Sequence, residues 1–173
     1  MPPTLQNAMA EASTRNAHRI YRIFFALISL VIFAADQTTK IMVQHAIPRY
    51  KVIPVIPGCF NLIHTENTGM AFSLFSDSPS SWKMAVMIGV SVALLIAVVA
   101  VWQSREVNWQ AGVGLALILG GALSNLADRV RYGRVVDFLD VYYRSYHWPT
   151  FNLADSAIVV GAGFLILELL FSK

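Results

Sequence analysis

Met84-Ala85-Val86-Met87-Ile88-Gly89-Val90-Ser91-Val92-Ala93-Leu94-Leu95-Ile96-Ala97-Val98-Val99-Ala100-Val101-Trp102 is a run of apolar residues interrupted by one serine and by no ionisable side chain. A helix of ~20 such residues crosses the hydrocarbon core of a bilayer. Trp82 and Lys83, directly before the run, are side chains that suit the headgroup boundary. Three further apolar stretches surround it, at about 20–35, 111–126 and 157–171. These are shorter and reach spanning length only by taking in polar ends, which places spans at about 20–42, 82–102, 109–129 and 154–171. Lipid offers nothing to a free peptide group, so each crossing has to be helical. The chain reads as a mainly α membrane protein, a four-transmembrane-helix bundle. Gly112, Ala116 and Gly120 recur every fourth position of the third span, where small residues let helices approach closely.

Composition agrees. Of 173 residues 56% are hydrophobic and 13% charged, with mean hydropathy +0.56, whereas a soluble domain carries about 25% charged residues. The length suits a single integral-membrane domain over 20–173. Residues 1–19 show no periodic apolar face and read as a mobile cytoplasmic tail. The net charge is +3, but the basic residues are scattered and never interleaved with aromatics, which excludes a nucleic-acid partner. Cys59 is the one cysteine, so neither an internal disulfide nor a multi-cysteine metal site forms. His18, His45, His64 and His147 lack ligand spacing, and no metal or other cofactor is expected. A signal peptide ending at Ala34-Ala35 is the competing reading of the N-terminal region. Cleavage there would discard a helix that carries part of the polar face described next.

Consecutive spans run in opposite directions, and this sorts the polar residues. Asp36, Gln37 and Lys40 end the first span; Ser124, Asn125, Asp128 and Arg129 end the third; Asn152 and Asp155 begin the fourth. All of these fall at one membrane face, together with both long connections, about 44–80 and 130–153. The flank of the first span holds Arg15, Arg19 and Arg22 with no acid after Glu11, which puts it in the cytoplasm by the positive-inside tendency. A count over all loops favours the other orientation; the first flank is given more weight because it inserts first. In the first connection, Val52-Ile53-Pro54-Val55-Ile56-Pro57 cannot be helical with two prolines so close. Phe60 to His64 and Met70 to Leu74 favour short strands around an Asn67-Thr68-Gly69 turn, making a small sheet that walls the polar face. The second connection is aromatic (Tyr142, Tyr143, Tyr146, His147, Trp148) and suits a surface resting among headgroups.

Two carboxylates in this setting are candidates for chemistry. Asp137 lies in Arg134-Val135-Val136-Asp137-Phe138 and Asp155 in Phe151-Asn152-Leu153-Ala154-Asp155-Ser156. A carboxylate at the edge of lipid is costly to keep and marks a functional site. Two close together share one proton, so that one deprotonates a water while the other activates a carbonyl. Asp155 begins a helix, where the dipole favours an anion; Asp137, before Phe138, lies in drier surroundings. No His-Glu-x-x-His helix, Gly-x-Ser-x-Gly elbow or phosphate-cradling glycine loop competes with them. Ser124 or Ser156 with Lys40 is a weaker alternative, since a serine at a helix start usually caps it. Asn125 and Arg129 share a helix face with Gly121, which leaves room beside them. Asp36 and Lys40, also four apart, read as a structural ion pair. Asp77 and Asp140 read as helix caps or arginine partners, and Asp128, beside Arg129 and Arg131, as either such a partner or a member of the site.

Taken in order, Asp36-Gln37-x-x-Lys40, Asn67-Thr68-Gly69-x-Ala71-Phe72, Gly120-Gly121-Ala122-Leu123-x-Asn125-Leu126-x-Asp128-Arg129, Val135-Val136-Asp137-Phe138 and Phe151-Asn152-x-Ala154-Asp155-Ser156 resemble lipoprotein signal peptidase, or signal peptidase II, the bacterial membrane aspartyl protease. The resemblance runs from the first span to the fourth and leaves out residues 1–19. It implies four transmembrane helices with a β-cradle and loop at the periplasmic face of the cytoplasmic membrane. It implies the dyad Asp137 and Asp155, and a diacylglyceryl-modified prolipoprotein as substrate, cut just before the lipidated cysteine. Asn67, Gly69, Asn125, Arg129 and Asn152 match positions that line the substrate site, with Asp36, Lys40 and Asp128 as support. Met70 and Ser124 stand where smaller residues are usual. Both termini would be cytoplasmic, the partners would be the substrate and membrane lipid, and the enzyme would act as a monomer. A transporter with a proton relay would instead spread carboxylates through the membrane depth, and Glu168, at the far end of the fourth span, is the only acid placed that way. A non-catalytic lipid-binding scaffold would process no precursor.

Overall fold

The structure is a computed structural model that describes residues 3–68, 80–103 and 108–171, with side chains at 19–68, 82, 85–103 and 108–171. Helix α1 (Pro3–Ala46) is followed by strands β1 (Val52–Ile56) and β2 (Phe60–Asn67), helices α2 (Ser80–Gln103) and α3 (Trp109–Tyr132), strands β3 (Val135–Tyr143) and β4 (Tyr146–His147), and helix α4 (Leu153–Phe171). Each of the four helices contains a stretch long and apolar enough to cross a membrane. Residues 3–19, expected as a tail before the first span, are helical and run continuously into the rest of α1. Leu5, Gln6, Ala8, Met9, Ala10, Glu11 and Ala12 are good helix formers, and extending a helix already nucleated in the span is cheap.

Helix α3 is the centre of the bundle because it is narrow on two sides. On the α1 side, a Cβ added at Gly120 would lie 2.6 Å from the Ser29 carbonyl oxygen, and fully buried Ala116 accepts a hydrogen bond from Ser29 Oγ at 2.9 Å. On the α4 side, a Cβ at Gly121 would lie 2.5 Å from the Ala154 carbonyl oxygen. In lipid, helices gain little from burying apolar surface against each other, so this close backbone approach holds them together. Helix α2 makes a looser contact through Val98 with Leu115 and Ile118, and turns most of its apolar side chains outward. At the end away from the sheet, Trp109 packs on Phe24 and Phe25, and Phe25 on Trp102. There Glu168 accepts from Asn108 Nδ2, while Asn108 Oδ1 caps α3 by accepting from Ala111 N.

The strands form an antiparallel sheet in the order β1-β2-β3-β4. Pro54 lies on edge strand β1, where a missing N–H is tolerated, next to a register shift. β3 is the sheet's main correction to the sequence reading, which treated 130–153 as an aromatic loop. Val135 to Tyr143 is rich in β-branched and aromatic residues and pairs with β2 over most of its length. The strand expected at Met70–Leu74 lies outside the described residues, and Asn67, expected in a turn, ends β2. Val136 and Phe138 of β3 pack on Val43 of α1 and on Ile47 just past its end, which fixes the sheet to the end of the bundle.

Candidate active site

Asp137 and Asp155 come from different elements, and the backbone brings them together. Phe151 exchanges hydrogen bonds with Leu139, its oxygen accepting from Phe138 N and Leu139 N at 3.0 and 2.8 Å. This bridge lays the start of α4 beside β3. Asn152, fully buried, then serves both carboxylates: its Nδ2 donates to Asp137 Oδ1 at 2.7 Å and its backbone N to Asp155 Oδ2 at 3.2 Å. Its Oδ1 in turn accepts from Asp155 N at 2.9 Å, a reciprocal cap on the first turn of α4. The outer oxygens have their own donors. Asn67 Nδ2 reaches Asp137 Oδ2 at 3.0 Å, and Asn125 Nδ2 reaches Asp155 Oδ1 at 2.8 Å.

Asp137 is 2% exposed. Burial pushes its pKa from 3.8 up to about 6; the Asn67 hydrogen bond opposes the shift, the Asp155 charge adds to it, and Asn152 and Lys40 oppose it. A carboxyl group in this condition keeps its proton to a higher pH than a free one does.

Behind the pair lies a buried ionic cluster. Lys40 Nζ is 2.6 Å from both Asp36 Oδ2 and Asp128 Oδ2 and donates to Asn125 Oδ1 at 2.9 Å. Asp36 accepts from Ser124 Oγ at 2.6 Å and, through Oδ1, from the Ala154 backbone N at 2.8 Å. Gln37 Nε2 donates to Asp128 Oδ1 and Ser124 Oγ. A carboxylate of α1 therefore caps α4, and its lysine aligns the asparagine that holds Asp155.

Several expectations change here. The Asp36–Lys40 pair forms, but it is joined to the site and not isolated. Asp128 meets Lys40 and Gln37 instead of the neighbouring arginines, because helix geometry turns it toward α1. Among the described residues Asp140 neither caps a helix nor meets an arginine; it accepts from Asn61 Nδ2 and His147 Nδ1. The space at Gly121 is taken up by α4. Ser124 is fully buried against Asp36, and Ser156 Oγ donates to the Asn152 carbonyl, so neither pairs with Lys40. Arg129 keeps one hydrogen bond among the described residues, to the Asn125 carbonyl at 3.2 Å, and its guanidinium lies within electrostatic reach of Asp155, Asp137 and Asp128. Gly69, Met70 and Asp77 lie outside the described residues. Thr65, whose Oγ1 donates to the Asp137 carbonyl at 3.0 Å, was missed by the sequence reading; its place in the alternating pattern of β2 was the available signal. Among the described residues no three His, Cys, Asp or Glu side chains gather as a metal site would require.

Comparison with known proteins supplies the family. A family model described as signal peptidase (SPase) II matches residues 28–171. The lipoprotein signal peptidase of Geobacter sulfurreducens is 46% identical over 153 residues, covering 87% of this chain and 92% of the relative. That of Solibacter usitatus is 44% identical over 147 residues, covering 84% and 90%. Two solved structures of bacterial membrane enzymes superpose with TM-scores of 0.77 and 0.75 at 31% and 32% identity, the first covering 87% of this chain and 94% of its own, the second 85% and 87%. With four spanning helices, a sheet at one end and a family match over most of its length, the chain belongs to the signal peptidase II family.

Proposed function

We propose that this membrane protein is an aspartic endopeptidase that removes the signal peptide from diacylglyceryl-modified prolipoproteins, cutting just before the lipidated cysteine. The observation that carries the reading is the sharing of one buried asparagine, Asn152, between two carboxylates on different elements. Asp137, buried and inclined to keep a proton, donates it to the scissile carbonyl oxygen. Asp155, at the first turn of α4, takes a proton from the attacking water. The water oxygen bonds to the carbonyl carbon, and a tetrahedral intermediate forms. The C–N bond then breaks as the leaving amine receives the proton held by Asp155, while one hydroxyl of the intermediate returns its proton to Asp137 and the new carboxyl group forms. No group beyond these is needed to balance the step. Arg129, which makes one hydrogen bond among the described residues, orients the substrate backbone through its planar fork. Asn67, Asn125 and Asn152 set the carboxylates at the angle the reaction uses.

The working membrane is the bacterial cytoplasmic membrane. Both termini are cytoplasmic, the site is near the periplasmic face, and the enzyme acts as a monomer. The polar residues of α1, α3 and α4 meet at the end of the bundle that carries the sheet, so the substrate enters sideways from lipid. Each acyl methylene left in lipid contributes ~0.8 kcal/mol to holding the substrate at that depth. The test is turnover of one precursor with and without its diacylglyceryl group, in the same bilayer, by the parent enzyme, Asp137→Asn and Asp155→Asn. The expected result is cleavage by the parent alone, slower by orders of magnitude without the lipid. Near-normal turnover by either variant removes that residue from the dyad, and equal rates on both precursors remove the lipid requirement.

A further inference from the structure

Strands β2 and β3 do not pair in a single register. Phe60, Asn61 and Leu62 face Val141, Asp140 and Leu139, while Thr65, Glu66 and Asn67 face Asp137, Val136 and Val135. Between these runs two residues of β2, Ile63 and His64, stand against Phe138 alone. An extra residue shifts everything beyond it by one and re-aims the side chains. Without the bulge Asp137 would stand opposite His64. With it, Asp137 stands opposite Thr65, whose Oγ1 holds its carbonyl, and Asn67, two residues on, reaches its Oδ2. Both contacts from β2 to Asp137 therefore depend on the bulge.

His64 occupies the bulge and is buried. Its Nδ1 lies 2.8 Å from the Ile47 carbonyl oxygen, just past the end of α1. A carbonyl oxygen only accepts, so Nδ1 carries the proton. The His64 carbonyl accepts from Tyr50 N at 2.9 Å, where Tyr50 takes a left-handed turn with φ 61°. Side chain and backbone of one residue thus tie the bulge to the connection between α1 and β1. Its Nε2 is buried and meets no partner among the described residues, so the Nδ1 edge alone makes the attachment.

We propose that His64 is a positioning residue for the hydrolytic step: by bolting the β2 bulge to the end of α1 it sets the register in which Thr65 and Asn67 hold Asp137. It touches neither reacting carboxylate. The inference rests on the reading of Asp137 as one of the dyad.

Three substitutions separate a positioning role from simple packing. His64→Asn keeps an amide nitrogen where Nδ1 stands, His64→Gln moves it to the reach of Nε2, and His64→Leu fills the space without a donor. The expected result is that Leu and Gln lower kcat about 10-fold or more through misplacement of Asp137, with KM within about twofold, and that Asn recovers most of the loss. The limb of the pH–rate profile set by the shared proton should move upward in the Leu and Gln variants. Asn67 opposes protonation of Asp137, and that opposition weakens when its grip loosens; the Asn variant should return the limb. An unchanged kcat and profile in a folded His64→Leu protein would overturn the proposal, as would His64→Asn doing no better than His64→Gln. If the Leu variant fails to fold, the comparison of Asn with Gln decides. Asp137→Asn is assayed alongside: inactive with a flat His64 series, it leaves the dyad and removes only the role of His64; active, it removes the dyad reading and this inference with it.

Discussion

Asn152 Nδ2 donates to Asp137 Oδ1 at 2.7 Å while the backbone N of the same asparagine donates to Asp155 Oδ2. One residue thereby couples the positions of two carboxylates on separate elements. Asn152→Ala should keep the fold and lower kcat by about 100-fold, the scale of a misplacement near 1 Å. Single-turnover assays read this directly, and a rate within a few-fold of the parent would show that the backbone alone orients the pair.

Asp137 gives a pH signature in stability. Its pKa is about 6 in the folded protein against 3.8 for an unperturbed group. Between these values the folded chain retains a proton that the unfolded chain has released. Stability therefore falls as pH rises from about 4 to about 6 and levels off above, by roughly 2–3 kcal/mol in all. Asp137→Asn lacks this loss. Thermal midpoints in detergent should show the parent declining relative to the variant across that window, whatever their absolute difference. Parallel curves would mean that Asp137 ionises as freely in the fold as outside it.

Lys40→Met leaves Asp36 and Asp128 as buried carboxylates without their cation. Breaking such a cluster on one side costs about 3–5 kcal/mol. The loss should appear as a lowered thermal midpoint together with reduced activity, because Asp36 also caps α4 at Ala154 and Lys40 also holds Asn125. A variant with the parent's midpoint would show that the two carboxylates are satisfied without the lysine.

Gly121→Ala and Gly163→Ala form a matched pair on neighbouring helices. A Cβ at Gly121 would sit 2.5 Å from the Ala154 carbonyl oxygen, backbone that cannot move aside cheaply, whereas at Gly163 nothing lies within 4 Å. The first should cost about 1–3 kcal/mol and displace the start of α4, lowering activity; the second should be near neutral. Equal effects, by thermal midpoint and turnover, would remove close α3–α4 packing as the device that seats Asp155.

The sequence by itself determined the membrane class, the four spans and the gathering of polar residues at one face, because apolar run length and alternation of direction are one-dimensional properties. It also singled out Asp137, Asp155 and the Asp36–Lys40 pair, since a carboxylate at the edge of lipid and an i, i+4 ion pair are both visible as spacing. Only the tertiary structure decided which groups meet. Asp128 turns to Lys40 and not to its neighbouring arginines, Asp36 caps a helix 118 residues away, and Asn152 bridges the dyad. Strand β3 and the bulge at His64 belong to the same class. The register between β2 and β3 depends on how the α1 terminus, Phe151 and both strands satisfy one another's backbone groups, and that condition joins segments far apart in the chain.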